Sequence, residues 1–548
     1  MKKIIYTAIF LVFTNFTFAQ SFKTETSDAF DSNIGVPVLL MKDGSTVFQY
    51  DDIKERKMLI TIFDKDHKIV INKKAVDFKK VNYVYHFSYQ QSSHVSFWAE
   101  SNGKAKIYME SDLKPYYVII NVKTGSVEDE IEIQNVGTVN TTYYNSKAIE
   151  HKYIQKYQID PITGNRLKVN KTWKQLKKEE ALSRTDFSDI STVDFTIFNS
   201  DGKEIKKIPF DFADKKYQAI RFLHTVFYND IIYFVSKMYK VTDRATYDGP
   251  NTGKGAVGVV CFSEYDLTTQ KFTHKELFDI KDDINYDNCT IIQNYDKSIF
   301  NLKFTVKTGN SNGNLVKDAQ VFYSIFFQPI DPKTFKLEKP YYLPSEKLDA
   351  FVKTNCKIKD GYVGGMLDRC LIDKKGNILT TKVKNVIGFA SGYADTQNPE
   401  LIGISYFDKT GNEINAWAFP YNTTGTIEPF SSSGKIEVNV KSGFNFLIGT
   451  GSKNNIIFLN NLSKNYNFPL DQKPEVAKSL DDCNAMAIEL TNEGIKQYYV
   501  FGEPANKKSN KYVDFANALY DEKSNTVIVK VFDGPGYENT HAAWIKVE

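Results

Sequence analysis

The sequence predicts an all-β fold, and within that class a β-propeller of about seven four-stranded antiparallel blades. Three observations lead to this prediction. Short turn signals recur along the chain, apolar strands flank them, and the 548 residues exceed the roughly 250–300 at which one compact core stops growing. Small sheets stacked around an axis let a core grow by repetition. Tandem β-sandwich domains are the alternative.

The chain begins with the pattern of a secretory signal peptide. Two lysines precede an apolar run at 4–13, and Thr17-Phe18-Ala19 places small residues at the cleavage positions. The apolar run is too short to cross a bilayer. We therefore expect 1–19 to be a leader cleaved after Ala19, and 20–548 to be a single exported propeller. Its destination is the periplasm, the outer surface or the medium.

Composition narrows the possible partners. The formal net charge is only +4, with lysines and glutamates scattered along the chain, so nothing favours nucleic-acid binding. After the leader, no apolar run is long enough to span a membrane. Aromatic residues make up 14% of the chain, which favours strands and large buried surfaces. We expect a monomer with a protein or glycan ligand.

The turn signals share an Asp or Asn followed by turn residues, often with Gly. The Asx side chain accepts hydrogen bonds from nearby amides, and Gly supplies the positive φ that closes the hairpin. We expect these turns to be structural and to bind no metal, because none has the ligand pattern of a calcium loop. The copies lie at 63–66, 121–125, 160–164, 199–202, 266–269, 331–334, 373–376, 408–411 and 521–524.

Complete four-stranded units are most evident at 95–133, 220–278 and 485–532. Strands at 38–48 and 58–72 are expected to share a unit with the C-terminal strand Ala542–Val547 and so close the ring. Helix is scarce, and one possible helical insertion is predicted near 171–186, centred on Trp173–Leu182.

Two hairpins, Val118–Val127 and Tyr406–Gly411, resemble the repeats of quinoprotein-type propellers. The resemblance covers short stretches and implies the propeller architecture. Those families usually carry a Trp shortly after the Gly. The first hairpin has none, and Trp417 is the only Trp near the second. No quinone and no other cofactor is expected.

In a propeller, connections after the second and fourth strands of each blade reach one face, and turns after the first and third reach the other. Long loops at 242–256, 307–319 and 502–514 are expected on the first face. Long loops on a rigid scaffold commonly carry binding residues. Candidate binding residues in the first two loops are Asp243, Arg244, Tyr247, Asp248, Lys254, Asn310, Asn312, Lys317 and Asp318.

Five cysteines follow the leader, and the sequence around Cys356 and Cys370 favours a hairpin that could join them by a disulfide. No zinc spacing, metalloprotease motif or nucleophile elbow is present. The leading hypothesis is therefore a non-catalytic envelope or secreted protein that binds a protein or glycan through the long-loop face. The alternatives are a carbohydrate-active hydrolase or lyase with acidic residues such as Asp248 and Asp318 at the central channel, and a structural surface protein.

Overall fold

A computed structural model of the chain describes most of the propeller and none of the expected leader. The residues described are 22–30, 33–52, 54–55, 57–81, 96–99, 103–111, 114–132, 158–160, 162–173, 191–199, 203–210, 219–241, 256–279, 284–294, 298–308, 322–356, 366–383, 386–390, 393–397, 401–422, 446–521, 524–535 and 539–548.

The fold is a β-propeller of eight antiparallel blades, one more than expected. The first four blades are regular four-stranded meanders. Blade 1 contains β2 (Val36–Leu40), β3 (Thr46–Asp52), β4 (Lys57–Phe63) and β5 (Ile69–Ala75); blade 2 contains β6 (Ser96–Ala99), β7 (Lys104–Ser111), β8 (Lys114–Asn121) and β9 (Ser126–Glu132); blade 3 contains β10 (Gln158–Ile159), β11 (Arg166–Trp173), β12 (Ser191–Phe198) and β13 (Glu204–Pro209); blade 4 contains β14 (Ala219–Tyr228), β15 (Ile231–Val241), β16 (Ala256–Asp266) and β17 (Lys271–Asp279).

Of the remaining blades, 6 and 8 carry additions. A helix precedes blade 6, a hairpin interrupts it, and blade 8 borrows a strand from the other end of the chain. Blade 5 contains β18 (Ile284–Gln293), β19 (Phe300–Thr308), β20 (Phe322–Ile330) and β21 (Tyr341–Leu343); α1 is Glu346–Asn355; blade 6 contains β22 (Met366–Ile372), β23 (Ile378–Val383), β26 (Leu401–Phe407) and β27 (Glu413–Pro420), with the inserted hairpin β24 (Val386–Ala390) and β25 (Tyr393–Gln397); blade 7 contains β28 (Leu447–Thr450), β29 (Asn455–Leu462), β30 (Cys483–Thr491) and β31 (Gly494–Tyr499); blade 8 contains β32 (Lys511–Val513), β33 (Leu519–Asp521), β34 (Thr526–Asp533), β35 (Asn539–Val547) and β1 (Phe22–Thr26).

The ring closes through its first strand. β1 pairs antiparallel with β35, from Phe22 opposite Val547 to Thr26 opposite Ala543. Phe22 is buried between blades 7 and 8, edge-on to Phe458 at 5.6 Å. Closure by the two chain ends was expected, but the strand that does it was not: 38–48 and 58–72 belong to blade 1, and the predicted unit at 485–532 combines strands of blades 7 and 8.

The core is a ring of apolar layers between blade faces. Because strand side chains alternate between the two faces of a sheet, each blade contributes one apolar face to each neighbour. Between blades 8 and 1, for example, Phe63 meets Trp544 edge-on at 5.3 Å. Comparable clusters fill the interfaces between blades 1 and 2 and between each successive pair from blade 3 to blade 8.

The predicted helical insertion lies mostly outside the described residues. Residues 171–173 end strand β11, and 174–186 lie outside the described residues. The helix that the structure describes is α1, which packs against β26 and β27 through Leu348 and Val352. A short amphipathic helix of this length leaves little periodic signal in the sequence.

Candidate binding surface at the loop end

The propeller has two unlike ends. We call the end that carries the connections between second and third strands, and between blades, the loop end; the opposite end, with the first-to-second and third-to-fourth turns, is the turn end. All the predicted Asx turns join strands at the turn end, as expected. At the loop end, second-to-third connections are short in blades 8, 1 and 2 (534–538, 53–56 and 112–113) and long in blades 3 to 7 (174–190, 242–255, 309–321, 384–400 and 463–482).

The topology therefore brings the predicted binding loops to one end. Those of blades 4 and 5 occupy equivalent positions in consecutive blades. The candidate residues themselves, Asp243, Arg244, Tyr247, Asp248, Lys254, Asn310, Asn312, Lys317 and Asp318, all lie outside the described residues. The third predicted loop, 502–514, joins blade 7 to blade 8, and its Tyr512 is a core residue stacked on Phe532 at 5.1 Å.

The longest described stretch of the loop end is a platform built from 463–482 and 500–510, which we call the blade 7–8 platform. Buried asparagines on the adjoining strands and on the platform itself hold it. Asn460 in β29 joins blade 7 to blade 8, because its side chain donates to the Val513 carbonyl at 2.7 Å and accepts from the Val513 N–H at 2.9 Å. Through these two bonds, the Asn460 side chain satisfies both backbone polar groups of Val513, as a neighbouring strand would.

Asn484 and Asn510 connect the two halves of the platform. Asn484 Nδ2 donates to Ser463 Oγ at 2.8 Å and to Asn510 Oδ1 at 3.0 Å, while its Oδ1 accepts from the Lys511 N–H. Asn510 in turn donates to the Asp481 carbonyl at 3.1 Å. Both asparagines are about 3% exposed, so these bonds replace water that the amides would otherwise need.

A second asparagine group fixes the outer part of 463–482. Asn465 bonds Asn461 Oδ1 at 3.0 Å and both the N–H and the carbonyl of Glu475. Asn422, following β27, donates to the Pro474 carbonyl. This framework was not predictable from the sequence, because an asparagine next to a loop is far more often a surface turn residue.

The exposed side of the platform is charged and mixed in sign. Lys464 pairs with Glu475 and Lys507 with Asp482, each at 3.0 Å and largely exposed. The hydrogen bond from Lys507 to Asp482 raises the pKa of that lysine. Exposed pairs of this kind contribute little to stability. Such a surface can offer hydrogen bonds and charges to a polar partner.

The inner strands around the axis are irregular. β-Bulges or register shifts interrupt the pairing of the first strand with the second in blades 1, 4, 5 and 6, and in blade 8 the first strand is divided into β32 and β33. Bulges commonly re-aim side chains next to functional sites.

A polar cleft of about 600 Å³ lies at the seam between blades 8 and 1. Its walls are 25–28, at the end of β1, and 66–69, in the outer turn of blade 1. His67 stacks on Trp544 with 3.8 Å between ring centroids, and its Nδ1 lies 2.8 Å from Glu25 Oε2. His67 appeared in the sequence only as an isolated histidine next to a turn, since its partners come from opposite ends of the chain.

The cysteines are all free thiols, so the structure does not contain the disulfide expected between Cys356 and Cys370. Cys356 ends α1 and packs with Leu348, whereas Cys370 lies in β22 in the core between blades 5 and 6. Burial raises the pKa of Cys356 to about 11 and that of Cys370 to about 12, so both thiols stay protonated at neutral pH and are poor nucleophiles.

Within the described ranges, no group of three His, Cys, Asp or Glu side chains is placed to hold a metal ion. No helix among the same residues is long and apolar enough to cross a membrane.

These features define an eight-bladed propeller with one elaborated end. No known protein-family profile matches the sequence, and no curated protein sequence matches it. Similarity to solved structures is remote. The Dos1 propeller is 8% identical, with a TM-score of 0.40 and 96% of each chain covered. Dipeptidyl peptidase 4 of Porphyromonas gingivalis is 11% identical, with a TM-score of 0.36.

The alignment with the peptidase covers 92% of this chain but only 58% of the peptidase, so this chain spans less than two thirds of it. A DUF4221-family member from Bacteroides vulgatus is 12% identical, with a TM-score of 0.25 and coverage of 84% and 94%. The blade assignment therefore rests on the strand pairing of this chain itself.

Proposed function

We propose that this chain is an exported, non-catalytic propeller that binds a protein or a glycan at its loop end. The observation that carries the proposal is the distribution of connections: they are long over blades 3 to 7 and short over blades 8, 1 and 2, all at one end. A rigid ring that presents long connections on one side is a common arrangement for binding.

The blade 7–8 platform supports the same proposal. Its buried amides fix the base of a long connection without using the exposed side chains, so the outer surface remains available to a partner. A partner that meets amides and mixed charges would itself be polar, as proteins and glycans are. Export is part of the proposal and rests on the leader pattern at 1–19.

Binding can be tested with the mature chain, residues 20–548, on an array of bacterial, plant and animal glycans and on purified envelope proteins. A loop-trimmed variant would carry short turns, like 53–56, in place of 242–255 and 309–321. A control variant would combine Lys123→Ala, Lys333→Ala and Lys409→Ala at the turn end. We expect a reproducible ligand whose affinity falls at least tenfold in the trimmed variant and is unchanged in the control.

Equal binding by the trimmed variant, or no binding to any probe, would contradict the proposal. Release of shortened glycan by the wild-type chain, abolished by Asp248→Asn or Asp318→Asn, would establish the carbohydrate-active alternative instead. Export is tested separately: the secreted form should begin at Gln20.

A further inference from the structure

The strand that closes the ring has one open edge. β1 lies at the border of its sheet, and no described strand pairs with the side that faces away from β35. The Ser27 N–H donates to the Ala542 carbonyl at 2.9 Å, in register with the pairing of Thr26 and Ala543. Successive residues of an antiparallel strand bond to opposite sides, so the N–H and carbonyl groups of Thr24 and Thr26 point away from the blade.

The polar cleft at the seam between blades 8 and 1 adjoins this open edge. Thr26 lines the cleft, together with Ser27 and Asp28 at the end of β1. Its volume of about 600 Å³ falls within the range of about 300–1,000 Å³ that is usual for ligand sites. The cleft therefore gives room to a segment that bonds to the outward-facing groups of β1.

The opposite wall of the cleft is a turn fixed by its own hydrogen bonds. Asp64 Oδ1 accepts the N–H of Asp66 at 2.9 Å and that of Lys68 at 2.8 Å. Between them, His67 joins the turn to β1, because its Nδ1 lies 2.8 Å from Glu25 Oε2. Both walls are thus held in place before a partner arrives, which reduces the entropic cost of binding.

The side chains that line the cleft favour a basic ligand. Glu25, Asp28 and Asp66 bring three exposed carboxylates to it, with Lys68 as their positively charged counterpart. The turn uses the backbone N–H of Asp66, so the carboxylate of that residue faces the solvent. Ile69 is 39% exposed and offers an apolar surface to the stem of a lysine or arginine.

We propose that this cleft binds an extended segment of another protein, with lysine or arginine at alternate positions, which adds to β1 as a further strand of blade 8. The backbone of the segment bonds to Thr24 and Thr26, and its basic side chains meet Glu25 and Asp66. Because the turn at 66–69 belongs to the turn end, this site is separate from the one proposed for the loop end.

The open edge distinguishes this partner from a small cation. A cation would use the carboxylates alone, and no group of three described His, Cys, Asp or Glu side chains is placed to hold a metal ion. An added strand uses the backbone groups of β1 as well. Main-chain hydrogen bonds then supply affinity, and the carboxylates select the basic side chains.

The probe is a fluorescein-labelled hexapeptide of alternating lysine and threonine, titrated with the mature chain, residues 20–548, and followed by fluorescence anisotropy. We expect saturable binding that weakens as salt is added, because the charges are exposed. The same peptide N-methylated on the amides of one edge keeps every charge but loses backbone donors, so it should bind at least tenfold more weakly. A peptide of alternating glutamate and threonine should not bind.

Two pairs of variants test the two parts of the site. Thr26→Pro removes an N–H at an open edge, where proline is tolerated, and should lower the affinity at least tenfold; Thr26→Val keeps the N–H and should bind like the wild type. Asp66→Lys should lower the affinity at least fivefold. Its matched control is Glu493→Lys, in an exposed turn of blade 7, which changes the net charge equally and should have no effect.

Circular dichroism would establish that each variant is folded. Absence of saturable binding at about 1 mM peptide would overturn the proposal. Equal binding of the N-methylated peptide would show that the cleft attracts cations without adding a strand, and equal binding by Asp66→Lys would place the peptide elsewhere; either result overturns it. The loop-trimmed variant should bind the peptide as tightly as the wild type, so the outcome does not depend on the ligand proposed for the loop end.

Discussion

The two ends of the propeller are built by different rules. At the turn end, short turns bond to themselves and to the next blade: Asp160 of blade 3 accepts the Asp230 N–H of blade 4 at 2.5 Å, and Asn455 of blade 7 donates to Asp373 of blade 6 at 3.1 Å. At the loop end, the one long second-to-third connection that the structure describes in full, 463–482, is held near its base by buried asparagines.

This difference shows which end is free to vary. A turn that also bonds to the adjacent blade cannot lengthen without breaking that contact. The turns at the turn end therefore hold adjacent blades together. A connection held at its base can change in length and sequence while the blades stay in place. Substitutions at the turn end should therefore cost more stability than comparable ones at the loop end.

The largest effect is expected from Gly451→Ala at the turn end. A Cβ there would lie within 2.5 Å of the Glu548 backbone oxygen and closer still to that of Asn454. Hydrogen bonds from the Ser452 and Gly451 N–H groups hold these two oxygens in place. We expect a loss of about 3 kcal/mol, measured by urea titration. The loop-end control is Gly502→Ala, which meets no atom within 4 Å and strains only its φ of +85°, at about 1 kcal/mol. Equal losses of unfolding free energy in the two variants would contradict the difference between the two ends.

An intermediate effect is expected from Asp160→Ala. Its fully buried carboxylate accepts the N–H groups of Ile162 at 2.9 Å and of Asp230, so its removal leaves amides unpaired between blades 3 and 4. The expected loss is about 2 kcal/mol. At the loop end, Asn506 caps the Lys508 N–H in full solvent, and Asn506→Ala should cost about 0.5 kcal/mol. A larger loss at Asn506 in thermal or urea unfolding would reverse the ranking.

The smallest effect concerns acid. Burial opposes ionisation of Asp408, but hydrogen bonds from Thr410 and Asn412 outweigh it and lower its pKa to about 2. The unfolded value is about 3.9, so the carboxylate contributes stability above that pH, and the contribution is lost as pH falls toward 2. At pH 6 the thermal midpoint of the wild type should be slightly higher than that of Asp408→Asn, and the two midpoints should converge at pH 2. A constant difference would mean that the turn is not stabilised by the charge.

Much of the scaffold was predictable, because its signals are local. The turn at Asp408 needs only an Asx side chain and a Gly a few residues later, and the alternating strand at Ser126–Glu132 follows from period-two patterning. The blade count was less accessible. The four-stranded unit predicted at 485–532 combines strands of blades 7 and 8, because nothing in the sequence of a regular strand indicates which sheet it joins.

The candidate sites were far harder to predict. His67 and Trp544 show nothing unusual where they stand in the chain, and only packing brings them together. The same holds for Asn484, which has the sequence context of a surface residue but is buried.

Strand alternation and turn chemistry act over a few residues, so the order of amino acids is enough to predict small antiparallel sheets joined by Asx turns. Long-range packing sets the rest: the first strand completes the last blade, eight blades close the ring and the long connections share one end. Those outcomes depend on which sheet faces pack together, and packing is set by contacts between residues hundreds of positions apart.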